Sequence, residues 1–243
     1  MSPVATHTIL ECAAYFVGFR YFLWERRRLA LAALADTDQS LVIGVAAILG
    51  AAIGAKLGFW IEDPLTAFQN FPDWRHLLEG KTIVGALLGG LIGVELAKKV
   101  VGVRTSSGDA FAFPLMLGMA MGRVGCFLAG LADHTYGNPT ALPWGVDFGD
   151  GIPRHPTQLY EIVFLALWAA QLYAWRKRLV QTGDRFCLFM IGYLAFRLAA
   201  EAIKPIPYFY FGMISGIQLL CIAGLCYYWR DIRRLTGALW ARR

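Results

Sequence analysis

Charge is what this sequence has least of. Asp, Glu, Lys and Arg make up 16% of its 243 residues, against about 25% in an ordinary soluble domain. Hydrophobic residues reach 57%, and mean hydropathy is +0.49. That balance argues against a soluble enzyme with one large core and fits a polytopic membrane protein. The five cysteines, Cys12, Cys126, Cys187, Cys221 and Cys226, form no Cys-x-x-Cys pair, and all lie in or beside apolar runs. Their spacing suggests neither a disulfide framework nor a metal site, so small buried hydrophobes are the simpler reading. The net charge of +6 comes from short basic clusters at the ends of apolar runs. No Lys/Arg stripe interleaves with exposed aromatics, so nucleic acid is not an expected partner. No basic segment precedes the first apolar run, which already holds Glu11 and Arg20. It reads as a retained span and not as a cleaved leader.

What is present is a series of seven apolar runs, near residues 9–24, 41–60, 82–101, 110–129, 158–175, 186–203 and 211–229. Each is close to the ~20 residues a helix needs to cross hydrocarbon, and helices alone suit these lengths because lipid offers the backbone no partners. The expected fold is therefore an all-α polytopic membrane protein with seven transmembrane helices. It forms a single integral membrane domain over 1–243. Fifteen basic residues fall on one side of the alternation and four on the other. The positive-inside rule then places the N-terminus outside and the C-terminus in the cytoplasm. Segments 61–81, 131–157 and 204–210 become outer-face segments, which is the periplasmic side of an inner membrane.

One stretch concentrates polar groups that an apolar protein does not need for solubility. Between Gly122 and Glu161 lie Arg123, Asp133, His134, Asp147, Asp150, Arg154, His155, Gln158 and Glu161. Ionisable groups beside hydrocarbon are costly unless paired, which makes this stretch a candidate site. Gln158 and Glu161 are three apart and share a helix face. Thr157 is a plausible N-cap after Pro156, but Glu161 falls one position beyond a capping box. Arg197 and Glu201, four apart in the sixth run, read first as an ion pair facing the bundle. Glycines at 50, 54 and 58 and at 85, 89 and 93 repeat at four-residue spacing, which predicts close helix packing. In the outer segment, Phe68, Phe71 and Trp74 suit a flat interfacial piece, with His76 as an interfacial polar residue.

Several of these motifs resemble the bacterial prolipoprotein diacylglyceryl transferases. Tyr15-Phe16-Val17-Gly18-Phe19 resembles the first-span motif of that family. The Gly-rich third run, Gly122-Arg123-Val124-Gly125-Cys126-Phe127, His155-Pro156-Thr157-Gln158-Leu159-Tyr160-Glu161, and Phe196-Arg197 with Glu201 and Lys204-Pro205 follow in the family's order. The resemblance implies transfer of a diacylglyceryl group from phosphatidylglycerol to a cysteine thiol of a lipoprotein precursor, with no cofactor or metal. It also implies roles. Arg123 and Arg197 would hold the phosphate and glycerol as fork-shaped donors. Glu161 and Glu201 would position them, and His134 or His155 would accept the thiol proton. Tyr15, His155, Gln158, Tyr160 and Glu161 would line the substrate site. The chain departs from the family signature after Gly-Arg, with Cys126, Ala129 and Leu131 where asparagine, asparagine and glutamate are expected. Val84 stands at a polar ring position. A transferase with another acceptor and a noncatalytic lipid-binding protein are the alternatives these departures leave open.

Overall fold

The computed structural model describes residues 3–31, 36–69, 71 and 80–240. Each apolar run forms a helix. In chain order these are α1 (Pro3–Leu29), α2 (Thr37–Glu62), the short α3 (Pro64–Gln69), α4 (Ile83–Val101), α5 (Ala112–Ala129), α6 (Thr157–Trp175), α7 (Asp184–Ala200), α8 (Gly216–Tyr227) and α9 (Trp229–Trp240). Segments Thr37–Glu62, Gly108–Asp133 and Asp184–Ile203 are long and apolar enough to cross a membrane, so the chain is an all-α, multi-span membrane protein. Large apolar side chains such as Ile48, Val100 and Leu167 stand exposed on the helix surfaces, as a lipid solvent permits.

Local sequence accounts for the helix ends. The Asp36 carboxylate accepts from the Asp38 and Gln39 amides at 2.8 and 3.0 Å and starts α2. Ser215 and Gln218 close a full capping box on α8. Helix α4 stops at Gly102, which takes the left-handed conformation (φ 74°) and donates its amide to Lys98.

Helices α2 and α4 touch backbone to backbone. A Cβ on Gly54 would sit 2.3 Å from the Gly85 carbonyl oxygen, and one on Gly89 would sit 2.2 Å from that of Gly50. The four-residue glycine spacing on both helices therefore permits the contact, as the sequence predicts. Helix α1 lies along α5, α5 along α6, and α7 along α8. Helix α7 carries much of the core through Phe189, Met190, Tyr193 and Leu194, each with no exposed surface.

Three details differ from the sequence reading. The seventh run does not begin its helix at Phe211. Phe209–Tyr210 (β3) pairs with Ile214–Ser215 (β4) in a tight hairpin, turned by Phe211 and Gly212 at φ 53° and 71°. Thr157 is the first helical residue and not the N-cap, because its hydroxyl donates instead to the Thr135 carbonyl at 2.6 Å. The basic tail forms α9, pinned by Arg234 to buried Asp184 at 2.7 Å. Trp74 and His76 lie outside the described residues.

Candidate active site

The segment between α5 and α6 is built by its own polar side chains. The Asp147 carboxylate accepts from the amides of Gly149, Asp150 and Gly151, all within 3.1 Å. Val146–Asp147 (β1) pairs with Pro153–Arg154 (β2). Arg154 grips Asp150 through two nitrogens, both at 2.7 Å, and its guanidinium lies over the Tyr136 ring. Those hydrogen bonds hold the Asp150 carboxyl below the usual carboxylate range. Asp147, Asp150 and Arg154 thus have structural employment in the loop.

Below this segment the two arginines of the apolar helices meet one carboxylate. Arg123 comes from α5, Glu161 from the second turn of α6 and Arg197 from the last turn of α7. Arg123 Nε lies 2.9 Å from Glu161 Oε2, and an Arg197 terminal nitrogen lies 3.6 Å from the same oxygen. The Arg123 contact is an ion pair by distance, without the alignment of a hydrogen bond. Arg197 also reaches Glu201 at 3.1 Å, the i,i+4 pair expected from the sequence. Tyr193, one turn before Arg197, donates to Glu161 Oε1 at 2.8 Å. All five side chains are buried. Pairing is what makes such burial tolerable, since an isolated charge in this setting costs several kcal/mol. Lys204 follows the 3₁₀ turn Glu201–Ile203. Burial, and then the Arg197 and Arg123 charges, push its ammonium down to about 8.

A second polar group lies next to the first. Gln158 is buried and donates to the Thr135 hydroxyl at 3.1 Å, and Thr135 donates to Asp133 at 2.5 Å. Gln158 Oε1 has no partner among the described residues. Asp133 Oδ1 lies 3.4 Å from His7 Nε2, which is 3.7 Å from Cys126 Sγ. Arg123 connects the two groups, with a terminal nitrogen 3.9 Å from Cys126 Sγ.

The remaining expected site residues lie outside this buried centre. His155 Nδ1 sits 3.2 Å from the Tyr160 hydroxyl, which also accepts from Trp144 at 2.9 Å. The His155 backbone bridges Asn138 and Gly137, so the residue anchors the loop as well. His134 is exposed, in a left-handed conformation (φ 51°), with its ring near Tyr136. Tyr15 is exposed on α1 and donates to Glu11 at 2.8 Å, and Glu11 pairs with Lys81. The structure thus brings Arg123, Glu161, Arg197 and Glu201 together, with Gln158 one step away. It leaves His134, His155, Tyr160 and Tyr15 at the periphery.

Tyr193, Thr135 and His7 take part without having been singled out in the sequence. Tyr193 could have been found by its place one turn before Arg197 on an apolar helix. His7 had no local signal at all.

The model of the family described as prolipoprotein diacylglyceryl transferase matches residues 2–229. The chain belongs to this family. A phosphatidylglycerol–prolipoprotein diacylglyceryl transferase from Cupriavidus metallidurans is 32% identical over 94% of this chain and 91% of its own length. One of the same description from Nitratidesulfovibrio vulgaris strain DP4 is also 32% identical, over 86% of this chain and 82% of its own. A third, from Bordetella parapertussis, is 34% identical over 71% and 67%. The matched range takes in both arginines, both glutamates and the whole segment between α5 and α6.

Proposed function

We propose that this protein transfers a diacylglyceryl group from phosphatidylglycerol to the cysteine thiol of a lipoprotein precursor. In this reading the seven apolar runs all span the inner membrane as one domain. The N-terminus is outside, the C-terminus is cytoplasmic, and the site opens toward the periplasmic face. The excess of basic residues on the other side supports that orientation.

The observation that carries the reading is the convergence of Arg123 and Arg197, two buried guanidiniums, on Glu161. A guanidinium has five N–H donors in a rigid fork suited to phosphate. Arg197 Nε is buried and donates to nothing among the described residues. Donor capacity therefore remains beyond what the two glutamates use. In a setting of low dielectric, such pre-positioned donors stabilise charge that develops on a leaving phosphate.

The chemistry then runs as a displacement at carbon. The acceptor sulfur, as thiolate, attacks the glycerol carbon that bears the phosphate ester. A C–S bond forms, the C–O bond breaks, and glycerol phosphate departs with the electron pair. Arg123 and Arg197 hold the phosphate oxygens, and Glu161 and Glu201 hold the arginines. His134, exposed and without a side-chain hydrogen bond among the described residues, is better free to take the thiol proton than His155, which is engaged by Tyr160. Gln158, Tyr160 and Tyr15 line the approach for lipid and acceptor.

Mass spectrometry of a lipobox peptide incubated with the protein and phosphatidylglycerol tests this. The expected result is a diacylglyceryl addition on cysteine that is lost in folded Arg197→Ala. Phosphatidylglycerol consumed without addition would point to another acceptor. Turnover unchanged in Arg197→Ala would overturn the phosphate assignment.

A further inference from the structure

The reaction above uses neither His7 nor Cys126 nor Asp133, yet the fold gathers them beside Arg123. Their ligand atoms, one from each, lie within 4.8 Å of one another. His7 comes from the first turns of α1, Cys126 from the last turn of α5, and Asp133 from the 3₁₀ turn that follows. We propose that these three side chains form a three-ligand site for a zinc-class divalent ion, whose open fourth position takes the acceptor thiolate. The thiolate part rests on the transfer reaction proposed above. The metal site does not.

The spacing of the ligand atoms is the first support. Tetrahedral zinc holds N, S and O at about 2.0–2.3 Å, which puts neighbouring ligand atoms about 3.4–3.6 Å apart. The observed separations are 3.4 Å from His7 Nε2 to Asp133 Oδ1 and 3.7 Å from His7 Nε2 to Cys126 Sγ.

The second support is which nitrogen is used. A Cys-His-Asp relay would place the thiol on one ring nitrogen and the carboxylate on the other, so that a proton could pass through the ring. Here Nε2 faces both Cys126 and Asp133. With one ring nitrogen turned to both groups, no proton can pass from sulfur through the ring to the carboxylate. The three donor atoms instead converge on one point, where a neutral imidazole, a thiolate and a carboxylate would all offer a cation lone pairs.

The surroundings fit a prepared site. Asp133 Oδ2 is held by the Thr135 hydroxyl at 2.5 Å, and Thr135 by Gln158 at 3.1 Å, which leaves Oδ1 turned toward His7. That is the outer-shell support that metal carboxylates characteristically have. Gly125 allows the approach of α1. A Cβ there would lie 3.3 Å from His7 Cδ2 and 3.3 Å from Leu10 Cβ.

Three protein ligands leave one tetrahedral position open, the pattern of sites that act on a substrate. An incoming cysteine thiol bound there gives up its proton more readily to the base named above, because metal coordination favours the thiolate. Its sulfur then attacks the glycerol carbon, and the C–O electron pair leaves with glycerol phosphate near Arg123. The metal undergoes no redox change.

Cobalt(II) substitution tests both parts. The full chain, purified in detergent without a histidine tag and treated with chelator, is titrated with Co²⁺ alone. The site predicts one ion per chain, with a thiolate-to-cobalt charge-transfer band and the intense visible bands of tetrahedral geometry. The charge-transfer band is lost in Cys126→Ser. Affinity falls steeply in His7→Gln and Asp133→Asn, and about 10–100-fold in Thr135→Val, which removes outer-shell support. Circular dichroism and melting of each variant without metal establish that it is folded. No stoichiometric binding, or a band unchanged in Cys126→Ser, overturns the site. A lipobox peptide with its cysteine should then strengthen the charge-transfer band, and its serine counterpart should not. A spectrum indifferent to the peptide, or full lipid transfer by metal-free protein, overturns the thiolate assignment. Cobalt bound as described by a protein that turns over no phosphatidylglycerol would leave the site standing and remove the proposed reaction instead.

Discussion

Tyr193 donates its phenolic hydrogen to Glu161 at 2.8 Å, with both side chains shut away from solvent. The tyrosine takes one carboxylate oxygen and leaves the other to the two arginines. One side chain on α7 thereby fixes the orientation of the group on which the charged centre depends.

Tyr193→Phe should cost about 1.5–3 kcal/mol, the range for a hydrogen bond to a charged group. Glu161→Gln should cost more, about 3–5 kcal/mol, because it leaves two buried guanidiniums facing a neutral amide. Denaturation of both variants in mixed micelles compares them. Equal losses would show that the carboxylate charge is not what holds Arg123 and Arg197.

The glycine contact between α2 and α4 should not tolerate a side chain. Gly54→Ala places a methyl against the Gly85 carbonyl and the Gly89 Cα and must push the helices apart. A loss of about 1–3 kcal/mol is expected for overpacking of this kind. Gly44→Ala, on the same helix with nothing within 4 Å of its Cβ, should be neutral or slightly stabilising. Thermal melting of the pair separates packing from helix propensity.

At the opposite end of the bundle from the charged centre, Glu25 is fully buried and lies 2.5 Å from Arg185, which ties α1 to the start of α7. Glu25→Ala strips the half-buried Arg185 of its carboxylate partner and should cost about 1–3 kcal/mol. The double replacement with Arg185→Met should recover much of that loss. A double variant no more stable than Glu25→Ala would contradict the pairing.

Lys204 gives stability a pH dependence of known sign. Its folded-state value of about 8 lies below its ordinary 10.5. Between those values the unfolded chain holds a proton that the folded chain has released, so stability rises with pH across that window. Below about 8 the buried ammonium is charged in both states, and its destabilising effect is fully present. Lys204→Met should be more stable than the parent near neutrality and should flatten the rise between pH 8 and 10.5. Chemical denaturation at several pH values reads both effects.

The sequence made some of this legible because the signal was local. Seven apolar runs became helices, since length and hydropathy are all a lipid-facing helix needs. The glycine spacing of α2 and α4 and the Arg197–Glu201 pair were visible because helical periodicity converts spacing directly into faces. The Phe209–Ser215 hairpin was hidden because its aromatics continue the apolar run into α8. It depends on backbone conformation at Phe211 and Gly212 that hydropathy does not register. Thr157 looked like a cap, and no local rule revealed that Thr135, twenty-two residues earlier, would take its hydroxyl. His7 and Cys126 are separated by 119 positions, so spacing rules for metal ligands had nothing to act on. Only the alignment of α1 along α5 brings them together.

The backbone contact of α2 with α4 also sets the mechanics of the bundle. Two helices joined without intervening side chains have no slack to take up, so they travel as one plank. Arg123, Glu161, Arg197 and Glu201 all lie outside that plank, on α5, α6, α7 and the turn after it. Any relative movement of helices in the bundle therefore falls between this pair and its neighbours, and not within the pair.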